Sequence, residues 1–393
     1  MKKFPLIVAL LGTLASQAQT IQTMLRLPDT GQTQHFTNTP GEDSDFSINP
    51  PFLIDNTNGT VTDTVTGLMW QQTDGGEMTI ENAESYCENL VLGNFADWRL
   101  PSAQEAFSIL NHGFQNPPLD PGIFTNTGAE YWWTSEKQAG NPSKIWVTNA
   151  GGGIGNHPKT ETLSAGGSKK FHVRAVRNMV APTSIPSQFT LLDSMVQDNL
   201  TGLEWQRYGS TDSMTWENAL LFAQSFSLQG KTDWRLPNIK ELQSINDETR
   251  SQPSISPDFF GNIGSRQYWA STSLPNQPTQ AWFMDSRFGV ISHELKTAQN
   301  SLLLVRGGNN ESVETKDLLS DQPALEASPN PFSAHFFVKN APTDAVFILT
   351  NVHGKVIYTG KNPDQTDFSL LAPGVYCLSI QGISSSTLKL VKL

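Results

Sequence analysis

The chain has 393 residues, with 37 acidic side chains against 26 basic ones for a net charge of −11, and 24 prolines. The acidic balance excludes a broad basic face for nucleic acid, and the aromatic content excludes a disordered chain. Two cysteines exclude a disulfide scaffold and a four-cysteine zinc site, leaving a multidomain protein of about two to three modest domains.

Lys2 and Lys3 precede an apolar run from Phe4 to Leu14, and Ser16-Gln17-Ala18 places small residues where a signal peptidase reads. Residues 1–18 therefore predict a secretory signal peptide, too short to span a bilayer; the alternative is a buried N-terminal helix. No later stretch approaches about 18 apolar residues, so the mature chain is expected to be exported and not an integral helical membrane protein. Leu27-Pro28-Asp29-Thr30-Gly31 matches the sortase pattern, but that signal belongs near a C-terminus. A tight turn is the reading here.

The middle of the chain is duplicated. Val65-Thr66-Gly67-Leu68-Met69-Trp70-Gln71 recurs as Leu200-Thr201-Gly202-Leu203-Glu204-Trp205-Gln206, and Asp97-Trp98-Arg99-Leu100-Pro101 as Asp233-Trp234-Arg235-Leu236-Pro237. Tyr131-Trp132 recurs as Tyr268-Trp269, and Trp146 as Trp282. An offset this long means duplicated domains rather than a solenoid. All ten tryptophans fall in the two copies.

Within a copy, Asn58-Gly59 signals a two-residue hairpin turn, followed by a strand through Gly67–Trp70. Thr79 predicts a helix cap, with Ile80, Ala83, Cys87 and Leu90 at helical spacing; in copy 2 that face reads Trp216, Ala219, Ala223 and Phe226. Ser102 with Glu105, and Asn238 with Glu241, form capping boxes opening a second helix. Loops rich in Pro, Gly and Asn follow, with short aromatic strands around Trp132, Trp146 and Val173–Val176. This order predicts an α+β fold.

Thr66–Trp70, Asp97–Pro101, Tyr131-Trp132 and Val173–Arg177, with the Leu27–Gln32 and Asp55–Thr60 stretches, resemble the Lcl C-terminal domain of bacterial surface proteins. The resemblance covers copy 1 (19–178) and copy 2 (189–310), with 179–188 as linker. It implies a C-type-lectin-like fold and binding of polysaccharides such as sulfated glycans, without a catalytic site. The family often pairs a cysteine at Cys87 with one at the position of Ala175; copy 2 has Ala223 and Leu304 at these places. Cys87 is therefore expected to be a free, buried thiol.

After a polar linker (311–324), strand patterns at His335–Val338, Ala345–Leu349, Lys355–Tyr358, Val375–Ile380 and Thr387–Val391 predict a small β-sandwich. Pro329-Asn330-Pro331, Asn351–Val356, Leu371–Tyr376 and Lys389–Lys392 resemble the type A C-terminal sorting domain of the type IX secretion system. The resemblance covers 325–393 and implies an Ig-like sandwich, export across the outer membrane and the secretion machinery as partner.

No G-x-S-x-G elbow, H-E-x-x-H or P-loop is present. Gly151–Gly155 lacks a following helix signal and reads as a flexible loop rather than a phosphate cradle. The seven histidines do not recur at matching repeat positions, so no metal or cofactor is expected, with calcium left open. Asp97 and Asp233 read as hydrogen-bonded corners paired with Arg99 and Arg235 rather than as catalytic acids. Trp70, Trp98, Trp205 and Trp234 are expected in cores.

The candidate ligand site is the late, loop-rich half: Trp132, Trp133, Trp146, Trp269 and Trp282 for stacking on sugar rings, with Asn149, Asp285 and Arg287 for hydroxyls. For any one ring, core packing is the competing use. Residues 19–178 carry 9 basic and 17 acidic side chains and residues 189–310 carry 9 and 12, so neither copy offers a net basic cleft for sulfated glycans. Lys159, Lys169, Lys170, Arg174 and Arg177 are the candidates for a local patch. The expectation is a secreted or surface-displayed, non-enzymatic adhesin that recognises carbohydrate, its two copies giving avidity. The alternative is a structural surface component that binds protein partners. An enzyme of the formylglycine-generating type would need metal-binding cysteines that a lone Cys87 does not supply.

Overall fold

The computed structural model describes residues 20–160, 171–210, 212–308, 326–339, 345–351, 356–380 and 383–393. The expected signal peptide, the 311–324 linker, Lys169 and Lys170 lie outside the described residues.

Copy 1 contains β1 (Thr20–Gln22), β2 (Leu53–Asp55), β3 (Thr60–Asp63), β4 (Leu68–Gln71), α1 (Ile80–Asn89), α2 (Ala103–Ser108), β5 (Tyr131–Gln138), β6 (Asn141–Asn149), β7 (Ile154–Pro158), β8 (Phe171–His172) and β9 (Val176–Asn178). After β10 (Thr183–Ile185), copy 2 repeats the order with β11 (Phe189–Leu192), β12 (Met195–Asp198), β13 (Leu203–Gln206), α3 (Trp216–Ser225), α4 (Ile239–Ser244), β14 (Gln267–Ser273), β15 (Gln280–Asp285), β16 (Val290–Leu295) and β17 (Val305–Gly307). Among the described residues strand outweighs helix, 35% against 12%.

Local chemistry sets the helices. Thr79 Oγ1 accepts the Asn82 N–H at 3.3 Å to open α1, and Ile80, Ala83 and Cys87 turn inward at the predicted spacing. Both α2 and α4 carry the predicted capping box. The β2–β3 connection departs from expectation. It runs over residues 56–59, closed by the Asn56 N–H on Thr60 O at 3.0 Å, with Thr57 and Gly59 both at positive φ.

Each copy opens with a small antiparallel sheet, ordered β2-β3-β4-β9 in copy 1 and β11-β12-β13-β17 in copy 2. The later strands of both copies merge. Ile154 of β7 pairs antiparallel with Ile291 of β16, giving one seven-stranded sheet ordered β14-β15-β16-β7-β6-β5-β8.

Period-2 alternation gives this sheet two apolar faces. Trp132 joins Trp70, Trp146, Trp205, Trp282, Phe107 and Leu242 in a core built from both copies. Trp133 turns the other way into a core private to copy 1, with Ala83, Cys87 and Trp98. Trp269 does the same in copy 2, with Trp216, Ala219 and Trp234.

Residues 27–49, between β1 and β2 of copy 1, form an arm that is bonded to copy 2. Gln32 exchanges two hydrogen bonds with the backbone of Ser273, at 2.9 and 3.1 Å. Asp43 Oδ2 accepts from Thr272 Oγ1 at 2.5 Å. The 179–188 stretch, expected as a plain linker, contains β10 paired with β1, and Gln188 Nε2 donates to Ser244 O at 3.0 Å.

The tail comprises β18 (Glu326–Ser328), which was not expected, and β19 (Phe337–Lys339), β20 (Phe347–Asn351), β21 (Val356–Gly360), β22 (Gly374–Ile380) and β23 (Ile383–Lys392), which lie within a few residues of the five predicted strands. The described residues form a four-stranded sheet, β21-β20-β22-β23, and a two-stranded pair, β18-β19. Phe332, Phe336 and Phe368 centre its core.

Candidate functional site

The late strands and the β15–β16 turn, which carries Arg287, hold every residue expected to meet a ligand, and their geometry changes the expectation. Trp132, Trp133, Trp146, Trp269 and Trp282 are between 0% and 6% exposed. A ring stacks on a sugar only through a face open to solvent, and none of these five offers one. Trp133 Nε1 donates to Met78 O and Trp269 Nε1 to Met214 O, each at 2.9 Å, so the two copies use the same anchor and the counterpart of Trp269 is Trp133 rather than the expected Trp132. Trp282 crosses from copy 2 into the Gly151–Gly153 loop of copy 1, where a Cβ on Gly152 would stand 3.2 Å from the indole. The same ring meets His112 edge-on at 5.3 Å. The glycine run is therefore a seat for a tryptophan, not a flexible loop.

The polar candidates shape turns. Asn149 Oδ1 accepts the N–H groups of Gly151 and Gly153 at 3.0 and 3.1 Å, and Asp285 Oδ1 accepts that of Arg287 at 2.9 Å. These are Asx turns at equivalent hairpins. The Arg287 side chain is exposed, while Asn149 and Asp285 are half-buried.

The duplicated Asp-Trp-Arg motif is a brace. Arg99 forks onto Glu105 at 2.7 and 2.8 Å, and Arg235 onto Glu241 at 2.6 Å through both nitrogens. Each glutamate is also the capping-box residue of its helix. Asp97 and Asp233 pair elsewhere than expected, with Arg177 and Arg306, each at 2.7 Å through Nε. Trp70, Trp98, Trp205 and Trp234 are core residues as expected. Cys87 is free and buried, and burial pushes its thiol up to about 12.

Of the expected basic patch in copy 1, the three described members are paired or buried, while Lys169 and Lys170 lie outside the described residues. Lys159 pairs with Glu81, Arg177 with Asp97, and Arg174 is buried.

Sequence reasoning missed a charged cluster around Asp74. Its carboxylate accepts from Thr127 Oγ1 at 2.5 Å and Trp132 Nε1 at 2.9 Å, and meets His172 Nδ1 at 2.9 Å and Arg174 at 3.7 Å. Burial pushes the Asp74 carboxyl up, but the hydrogen bonds and the Arg174 charge outweigh it and hold the group below its ordinary range. The acid, histidine and arginine are all buried, so the cluster is an internal strut rather than an open acid–base pair. Copy 2 carries Gly209, Ser301 and Leu303 at these places. The signal that could have found it is that asymmetry between the repeats.

The best-formed cavities hold about 50, 20 and 10 Å³. A small-molecule site usually takes roughly 300 Å³ or more, whereas these admit a water or two. No group of three or more metal-ligating side chains occurs among the described residues, nor any helix long and apolar enough to cross a membrane.

The model of the Lcl C-terminal domain matches residues 59–177 and 194–306, more than half of the chain. The model of the secretion system C-terminal sorting domain matches residues 327–392. No curated protein matches. Among solved structures, the dimeric latent PorU from Porphyromonas gingivalis is similar at 10% identity over 67% of this chain and 29% of that chain, with a TM-score of 0.13. At that score it carries no argument about fold.

Proposed function

The chain belongs to the Lcl C-terminal domain family and ends in a type IX sorting tail, and from that premise we propose a non-enzymatic surface component that binds protein partners. The sorting domain marks the protein for export, to a secreted or cell-surface location, and engages the secretion machinery. We read each copy as C-type-lectin-like and the tail as an Ig-like sandwich, with binding done by the outer surface of the joined copies.

The observation that carries this reading is the burial of all five late-half tryptophans. It leaves the chain without the stacking platform that carbohydrate recognition through those rings requires. Apolar side chains are instead exposed on the outside, Phe52 at 59% and Leu221 at 52%. Leu221 and Phe222 on α3 replace Ser85 and Tyr86 of α1, so the helix faces of the two copies have diverged in polarity.

The test is a glycan array probed with the full mature chain, with calcium and with chelator, beside capture of outer-surface proteins by wild type and by Leu221→Glu/Phe222→Glu. The expected result is a blank array and a captured protein that the double variant loses. Selective glycan binding abolished by a substitution that leaves the melting temperature unchanged would restore the lectin reading.

A further inference from the structure

We infer that the face joining the two copies is self-complementary and fits a second copy of this chain, so that two chains can exchange halves, copy 1 of each pairing with copy 2 of the other. This goes beyond the proposed surface role and does not depend on what else the protein binds.

The contacts across the face are reciprocal. Ile154 pairs with Ile291, its own counterpart in the repeat. Gln104 Nε2 of α2 donates to Ser244 O of α4 at 3.3 Å, while Lys240 Nζ of α4 donates to Ser108 O of α2 at 2.7 Å. Gln104 and Lys240 are repeat counterparts, as are Ser108 and Ser244. Residue i meets j and the counterpart of j meets the counterpart of i, which is the pattern of a two-fold homodimer interface. Trp146 and Trp282, again counterparts, enter the same shared core.

These bonds do not need the two copies to share a chain. The covalent connection after Asn178 runs through Met179, Val180, Ala181 and Pro182, all exposed. The arm belongs to copy 1 and seats on copy 2 through Gln32, Asp43 and Asp29 O, the last accepting from Lys240 Nζ at 2.9 Å. It therefore travels with copy 1, and an exchanged pair of chains keeps its bonds. In dilute solution the closed monomer wins, because a short connection holds the second half at an effective concentration of order millimolar. Shortening the hinge removes that advantage.

The experiment deletes residues 180–182 from the mature chain, in a Cys377→Ser background. The expected product is a dimer by light scattering, with the wild-type tryptophan-fluorescence transition. An equimolar mixture of Ile154→Cys and Ile291→Cys forms of this variant is then expected to give a covalent interchain dimer on oxidation. A folded monomer would overturn the inference. Should the deletion fail to fold, the same two cysteine variants with the natural hinge are refolded together at low and high chain concentration. An interchain cross-link that rises with concentration supports exchange, and its absence at both overturns it.

Discussion

Arg235 and Asp233 lie two residues apart, yet their salt bridges differ in weight. The Arg235–Glu241 fork is buried at both ends, and Glu241 also accepts the Asn238 N–H at 2.8 Å. Breaking it leaves an uncompensated buried charge, so Arg235→Ala is expected to cost about 3–5 kcal/mol in denaturant unfolding. The Asp233–Arg306 pair has an exposed carboxylate, and Asp233→Asn is expected to cost less than about 1 kcal/mol. Trp132→Ala and Trp269→Ala each empty a filled core position and are expected to cost about 3–5 kcal/mol, read as a lowered melting temperature. The duplicated Asp-Trp-Arg motif was legible as structural from its place beside a capping box. Its pairing was not, because Arg99 and Arg235 are claimed by the glutamates of the helices they precede, leaving each aspartate to a distant arginine. Ring exposure was equally hidden, since strand spacing says which face a tryptophan takes but not what lies on that face.

The two short helices α2 and α4 are repeat counterparts whose first turns are satisfied differently. In copy 1 Glu136 accepts the Ala103 N–H at 2.5 Å. In copy 2 the counterpart is Thr272, whose hydroxyl accepts the Ile239 N–H at 3.0 Å and donates onward to Asp43 of the arm. The carboxylate that copy 1 carries itself thus reaches copy 2 from outside. Burial pushes the Asp43 carboxyl up to about 7 from 3.8, against the hydrogen bonds from Thr272 and Thr30. The folded chain then holds a proton that the unfolded chain has lost, so this group's contribution is full below about pH 4 and falls as pH rises to about 7. Asp43→Asn removes the dependence: its stability relative to wild type should climb between those limits and level off above pH 7. A difference that stays flat across the range would contradict the placement of Asp43. The helices, caps and most strands were readable because they are set by neighbours in sequence. The arm was not, since residues 27–49 have no repeat of their own and several of their partners lie in copy 2.

At the scale of the molecule, the two copies share an apolar core and a continuous sheet, so avidity from independent modules gives way to one double domain. The duplication itself was plain in the sequence; its consequence was not, because a repeat offset fixes how many units exist and not how they meet. Tryptophan fluorescence reads this joined region alone, as all ten tryptophans lie in the two copies and none in the tail. The most direct measurement is thermal unfolding of the mature chain followed by that signal, for wild type and for Trp216→Ala, which damages only copy 2's private core. One joined body requires a single transition that moves down as a whole in the variant. Two transitions, or a variant in which only part of the amplitude shifts while the rest melts as in wild type, would contradict it.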